Sequence, residues 1–339
     1  MEGIFKLYGW EVISFDQLHQ GLINSTYTVN TISGEYILQT VNHSIFKAPS
    51  LIDDNINLIG HYLKIKEPDY LFTHLVPAKD GSTLVHFEGQ FFRAFHKINA
   101  YALSVLNTPD QAKEAATQFG KFTQILSDLD MGKLKTSLPD FHNLSLRYHQ
   151  FSEAIINGNS KRIVLSKEAI SYLQANQFIV DKYEKFIQHP DVKLRVTHHD
   201  TKISNVLFKK EDGLEKAVCV IDLDTVMPGY FISDVGDMCR TYLCKVSEEE
   251  KDLNLIQIEM ERWGQLKDGY LSQMQNTLSN FELDHFVFGG QFMIYMQALR
   301  FLTDYLNNDI YYGTKYDSQN YFRAINQIEL LKKYNASIF

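Results

Sequence analysis

Two short acidic stretches hold the residue types from which this sequence could build a reaction. VTHHDTKISNVLF, 196–208, sets Asp200, Lys202 and Asn205 in one loop, and VIDLDT, 220–225, ends an apolar run with Asp222 and Asp224. Carboxylates brought close together repel one another unless a cation or a reaction uses them. In an extended segment Asp222 and Asp224 face the same way. A loop amide oxygen beside strand-end carboxylates suits a hard, oxygen-seeking ion such as Mg²⁺, which commonly arrives with phosphate. Phosphoryl transfer needs a group that orients the attacking hydroxyl, oxygens that hold the metal, positive charge on the γ-phosphate, and backbone amides near the phosphates. Asp200 can fill the first need, Asn205 and Asp222 the second, and Lys202 the third. Asp224 stands between a second metal ligand and a strand-end cap.

The elements that must position these residues divide into two kinds. Through the first hundred residues, alternating stretches such as EVISF, STYTVNT, GEYILQTV and TLVHFEGQFFRAF read as strands. Turn signals at Ser33-Gly34, around Asp80-Gly81 and at Glu88-Gly89 make them hairpins. One helix interrupts the sheet, opened by Pro49-Ser50 and carrying Leu51, Ile52, Ile56, Ile59 and Leu63 at helical spacing. Beyond residue 98 the periodicity predicts helices over 111–129, 145–156, 167–187, 234–244, 248–279, 285–306 and 321–333. The acidic loop breaks into this half, preceded by the strand-like VKLRVT and followed by NVLFKK and KAVCVIDL, a hairpin turning at Glu211-Asp212-Gly213. The expected fold class is α+β: a small antiparallel-sheet lobe over 1–97 that covers the nucleotide, and a large helical lobe over 98–339 for catalysis and substrate binding. A cleft between two lobes is a common ligand site.

The pattern His198-x-Asp200-x-x-x-x-Asn205, then Ile221-Asp222, then Asp234-x-Gly236-Asp237 resembles the aminoglycoside phosphotransferase and choline kinase superfamily, relatives of the protein kinases. The resemblance implies a protein-kinase-like two-lobed fold, with Asp200 catalytic, Asn205 and Asp222 on Mg²⁺, and His198 and Asp234 bracing the loop. HHDTKISNVLF, VIDLDTVMPG, DVGDMCR, YILQ and LRFLTDYL are similar, more closely, to the N-acetylhexosamine 1-kinases of that superfamily, over about residues 21–334. That likeness implies ATP and Mg²⁺ as cofactors and transfer of the γ-phosphate to the anomeric hydroxyl of N-acetylglucosamine or N-acetylgalactosamine. It also places Arg300 and Tyr311 against the sugar, beside Asp200. Adenine is expected near the lobe junction, around residues 95–98. An anomeric hydroxyl is more acidic than an ordinary alcohol, so a carboxylate at Asp200 suffices as its base.

Two positions depart from this pattern. Gln39 stands where a protein-kinase-like small lobe carries a third-strand Lys, and Lys202 is the candidate for the missing charge. The turn expected to cover the phosphates, with Gly21, Asn24, Ser25 and Thr26, holds one Gly rather than three, and Leu22 replaces a His that touches sugar in the related kinases. Two other readings stay open: a kinase of a choline-like or aminoglycoside alcohol, and a nucleotide-binding pseudokinase.

Composition limits the partners. The chain has 339 residues, 45% hydrophobic and 22% charged, with a net charge of -8, which offers no general attraction for nucleic acid or an anionic membrane. Cys219, Cys239 and Cys244 form no CxxC pair and read as buried, reduced thiols of a cytoplasmic protein. MEGIFKLYGW lacks the basic-then-apolar pattern of a secretory leader.

Overall fold

The computed structural model describes residues 1–18 and 24–339. A short helix α1 (Glu2–Tyr8) precedes β1 (Val12–Leu18), β2 (Ser25–Thr31) and β3 (Gly34–Val41). Helix α2 (Pro49–Lys66) follows, then β4 (Leu84–Phe87) and β5 (Gln90–His96). These strands form one antiparallel sheet in the order β1-β2-β3-β5-β4. The β4–β5 turn uses Glu88 and Gly89, both at positive φ, the conformation that lets a two-residue turn follow the twist of its strands.

The sheet has its own core with α1, built on Ile4, Phe5, Val29, Leu38, Val85 and Phe92. Helix α2 instead turns Ile52, Ile56, Ile59 and Leu63 into the larger core of the helical lobe. Asn55 of α2 ties the two together: its Nδ2 donates to the carbonyls of Val226 and Lys135, and its Oδ1 accepts from Lys135 N at 2.7 Å.

Past His96 the chain joins the second lobe at once. Strand β6 (Tyr101–Ala102) pairs with β8 (Val206–Glu211), which pairs with β9 (Leu214–Val220). A second small ladder joins β7 (Arg195–Thr197) to β10 (Met227–Gly229). The helices are α3 (Pro109–Ile125), α4 (Leu144–Asn157), α5 (Ser160–Leu165), α6 (Lys167–Ala175), α7 (Phe178–Gln188), α8 (Phe231–Tyr242), α9 (Met260–Met274), α10 (Asn280–Asp284), α11 (Phe286–Leu306) and α12 (Gln319–Ile338). Helix α11 is buried nearly all round, the mark of a central core helix. This is the mixed architecture anticipated, an antiparallel sheet lobe and a helical lobe. No helix among the described residues is long and apolar enough to cross a membrane, and the three cysteines are free and buried.

Three expectations about elements are corrected. The single helix over 167–187 is two, because Asn176 Nδ2 donates to the carbonyl of Tyr172 at 2.8 Å and competes with the helical ladder. The helix expected from 248 begins at Met260. There, Glu248 is drawn to Arg240 and Arg323, while Asn326 Nδ2 takes the carbonyls of Ser247 and Glu250 that a helix would have used. The strand VKLRVT is confined to Arg195–Thr197.

Candidate active site

The acidic loop is stitched down by backbone contacts that its own sequence supplies. Asp234, in the first turn of α8, accepts the backbone N–H of His198 at 3.0 Å and of His199 at 2.7 Å. Thr201 Oγ1 donates to the carbonyl of Asp234 at 2.9 Å, and Thr201 N donates to Asp237 Oδ2 at 2.8 Å. Asp237 is paired in turn with Arg240, three residues on, at 3.0 Å. From the other side Thr225 Oγ1 donates to the carbonyl of His198 at 2.6 Å, and Ile221 N donates to that of Asn205 at 2.9 Å. His198 Nε2 lies 2.9 Å from the carbonyl of Ile221.

His199 fits this frame at a cost. Its φ is 65°, and its Nδ1 donates to the carbonyls of Thr197 and Thr225, each at 3.1 Å. Burial pushes its imidazole down to about 4. Asp222 is also left-handed, at φ 60°. Non-glycine residues held this way cost of order 1–3 kcal/mol and gather where a site must be held in shape.

Asp200 receives two partners. Asn205 Nδ2 donates to its Oδ2 at 3.0 Å and to its carbonyl at 2.9 Å, and Lys202 Nζ sits 3.1 Å from the same Oδ2. Burial alone would pull Lys202 down, but the carboxylates of Asp200, Asp237 and Asp222 hold it above the usual lysine value. Asp222 makes no hydrogen bond or ion pair through its carboxylate with the described residues. It opens to the cleft yet is ringed by protein, and that burial, with Asp224 and Asp200 close by, raises its affinity for a proton.

Asp224 is engaged on both oxygens. Asn24 Nδ2 donates to Oδ2 at 2.7 Å, and Arg93 pairs with Oδ1, both charged side chains being almost wholly buried at 2% and 3% exposure. Asn24 also accepts from Asn42 N at 3.0 Å, fixing the start of β2 to the end of β3. Gln39 of β3 accepts from Arg93 and donates to Thr26 Oγ1 at 3.2 Å. Arg93 was not singled out from the sequence, although a charge inside the apolar FFRAF run is a visible signal. Ser25 opens β2 and pairs with Thr40. Gly21 and Leu22 lie outside the described residues.

A cleft of about 3050 Å³ brings these groups together. Asn24, Thr26, Gln39, Arg93, Asp200, Lys202, Asn205, Asp222 and Asp224 line it, as do residues 95–98 and, further along, Arg300 and Tyr311. Its volume exceeds the roughly 300–1,000 Å³ of a single small-molecule pocket, which leaves room for two substrates side by side. Arg300 lies over the rings of Phe141, Tyr311 and Tyr312, and its Nη2 is 3.4 Å from the Tyr311 hydroxyl. Asp304 fixes that wall by accepting the backbone N–H of Tyr311 at 2.7 Å and of Tyr312 at 2.9 Å.

Arg147 and His142 belong to the same wall and were also missed from the sequence. Arg147 donates to Gln150 Oε1 and to the carbonyls of Asp140 and Phe141. Neither Arg147 nor Arg300 has a carboxylate partner among the described residues. Burial, then His199, Arg300, Arg147 and Arg240, hold the His142 imidazole well below its usual value. Two carboxylates of this region are paired with arginines, Asp237 with Arg240, and Glu248 with Arg240 and Arg323.

The donor set fits one divalent cation of the magnesium type. Asp222 has no direct ion pair among the described residues and lies beside two other carboxylates, and Asn205 spends only its N–H₂ group on Asp200, leaving the amide oxygen unspent. No cluster of three or more His, Cys, Asp or Glu suited to a metal occurs among the described residues. Two protein oxygens, with water and phosphate completing the shell, is the usual magnesium pattern.

Comparison with known proteins finds the same fold elsewhere. Among solved structures, a microcompartment-associated aminopropanol kinase is 17% identical, with 99% of this chain and 97% of that one covered and a TM-score of 0.66. A spectinomycin phosphotransferase in complex with ADP and spectinomycin is 13% identical, covering 98% and 97% at a TM-score of 0.61. An ethanolamine kinase of Plasmodium vivax is 14% identical, covering 93% and 82% at 0.58. At these identities the likeness is one of fold. The sequence model of the phosphotransferase enzyme family matches residues 14–267, and the chain belongs to that family.

Proposed function

We propose that this chain is an ATP- and Mg²⁺-dependent kinase that phosphorylates the anomeric hydroxyl of an N-acetylhexosamine. The observation that carries the reading is that one cleft is lined both by Asp200, held by Asn205 and Lys202, and by Arg300 and Tyr311.

In this reading Asp200 accepts the proton of the anomeric hydroxyl. The sugar oxygen then forms its bond to the γ-phosphorus, and the bond from that phosphorus to the β,γ-bridging oxygen breaks as ADP leaves. Asn205 orients the carboxylate through its Nδ2, and Lys202 supplies positive charge beside it. Asn205 and Asp222 would hold Mg²⁺. There it would supply positive charge to offset that of the phosphates. His198 and Asp234 keep the loop in place, and residues 95–98 receive the adenine at the junction of the lobes.

The acceptor class follows from charge. Arg147 and Arg300 have no carboxylate partner among the described residues, and Asp237 and Glu248 are paired with other arginines. A cationic amino alcohol or aminoglycoside would meet repulsion there, whereas sugar hydroxyls and an acetamido carbonyl can accept from both guanidinium groups. The alternative of a cationic acceptor draws support from relatives of the same fold whose names include aminopropanol and ethanolamine kinases. A pseudokinase is suggested by Gln39 alone.

The test is ADP release with Mg-ATP against N-acetylglucosamine, N-acetylgalactosamine, glucose, galactose, choline, ethanolamine and an aminoglycoside. Turnover confined to the acetamido sugars is the expected result. Turnover with a cationic alcohol instead would replace the proposed acceptor, and ATP binding without turnover across the panel would favour the pseudokinase.

A further inference from the structure

Gln39 and Arg93 face each other in the β3–β5 ladder, so their side chains share one face of the sheet. Arg93 Nε and Nη2 both donate to Gln39 Oε1, at 3.0 and 2.9 Å, which fixes the plane of the guanidinium. Gln39 is itself oriented by the hydroxyl of Thr26, its register partner on β2. The same Nη2 also pairs with Asp224 Oδ1, a carboxylate that Asn24 holds from the start of β2. Nη1 has no acceptor among the described residues, and Arg93 lines the cleft with Asn24, Thr26, Asp222 and Asp224.

We propose that Arg93 is the cation this chain sets over the nucleotide phosphates, one strand away from the third-strand position, with Gln39 as its positioning residue. The inference rests on the nucleotide-dependent reading given above. It gives Gln39 a physical reason: a lysine there would press its ammonium against the buried guanidinium, while a glutamine carbonyl accepts from it. With Nε and Nη2 engaged by Gln39 and Asp224, Nη1 is the donor left to meet phosphate, on a guanidinium whose charge is permanent. Asp224 then acts as the counter-ion that holds Arg93 across the cleft. Lys202 serves a different place, since its Nζ is committed to Asp200 and its side chain is 43% exposed.

A purely structural cross-lobe ion pair would account for the same contacts, and nucleotide binding separates the two. Calorimetric titration of ATP and of AMP, each with and without Mg²⁺ and without acceptor, compares ligands that differ in the β- and γ-phosphates. Arg93→Gln is expected to weaken ATP about 10- to 100-fold, the scale of one charge-assisted contact, and to leave AMP unchanged. Arg93→Lys is expected to recover part of that loss. Equal weakening of ATP and AMP, or no change in either, would overturn the proposal.

Because Arg93→Gln leaves Asp224 buried without its partner, the variant could fail to fold. Gln39→Leu then decides, through a selective loss of ATP affinity with melting and AMP binding preserved. Unchanged ATP binding in folded Gln39→Leu would count against the proposal. Wild-type protein that binds neither nucleotide would refute the functional reading and this inference together, whereas wild-type ATP binding with unselective variants refutes this inference alone.

Discussion

Asn205 holds the carboxylate of Asp200 in place, donating from one Nδ2 to Oδ2 at 3.0 Å and to the Asp200 carbonyl at 2.9 Å. The carboxylate is therefore oriented by its own loop. Asp200→Asn keeps the size and removes the base, so turnover is expected to fall roughly 10²- to 10⁴-fold. ATP affinity and the melting temperature should stay near the wild-type values, and a variant that retains wild-type turnover would remove Asp200 from the reaction.

Lys202 lies beside the same oxygen and is solvated enough to be truncated without opening the core. Lys202→Ala should lower turnover about 10-fold or more, in line with one charge-assisted contact, with little change in melting. Steady-state kinetics with ATP varied would check this. Intact turnover together with intact ATP affinity would exclude a role for its charge.

Arg300 donates toward Gln297 and Tyr311 and faces no carboxylate among the described residues. Arg300→Gln is expected to raise KM for the acceptor about 10-fold while KM for ATP holds. The same substitution should relatively favour cationic alcohols, because it removes repulsion. Equal shifts in both Michaelis constants would argue for a structural role instead.

Gly236 sits where α8 crosses α11, and a Cβ added there would lie 2.3 Å from the carbonyl oxygen of Gly289 and 2.7 Å from Met293 Cβ. A backbone carbonyl cannot step aside as a side chain can. Gly236→Ala should cost about 1–3 kcal/mol by overpacking, read as lowered denaturant resistance. Asp234 and Asp237 flank this glycine, so activity should fall with stability. A neutral result would mean that the two helices separate freely.

Acid should destabilise the fold through its buried histidines. His199 is pushed down to about 4 by burial, and His142 and His198 are lowered for the same first reason. Above about pH 6.5, the ordinary imidazole value, neither folded nor unfolded chain binds the proton, and the stabilising contribution is complete. As pH falls from there toward 4, the unfolded chain takes up protons that the folded one refuses, so stability is lost at up to about 1.4 kcal/mol per pH unit for each group. Urea unfolding of wild type and His199→Asn across this range should show the shallower slope in the variant. Identical slopes would mean that His199 is protonated in the folded state.

What the sequence made legible is what short spacing encodes. Asp200, Lys202 and Asn205 share one loop, and the Asp212-Gly213 turn and the α2 apolar stripe follow from local rules, so each was readable before any fold was known. The partners of Asp224 were not, because Asn24 and Arg93 come from the distant sheet lobe and meet it only when the lobes assemble. Arg147 and His142 escaped for a related reason: nothing near them in sequence marks them as facing Arg300. The helix expected from 248 failed because Arg323 and Asn326, far along the chain, claim Glu248 and the neighbouring carbonyls.

Transfer to an anomeric oxygen is read from ³¹P NMR of the product made from Mg-ATP and N-acetylglucosamine or N-acetylgalactosamine. A phosphate resonance coupled to the anomeric proton of the sugar should appear as ADP accumulates. A phosphate coupled instead to the C6 methylene, or product formed only from a cationic alcohol, would contradict it.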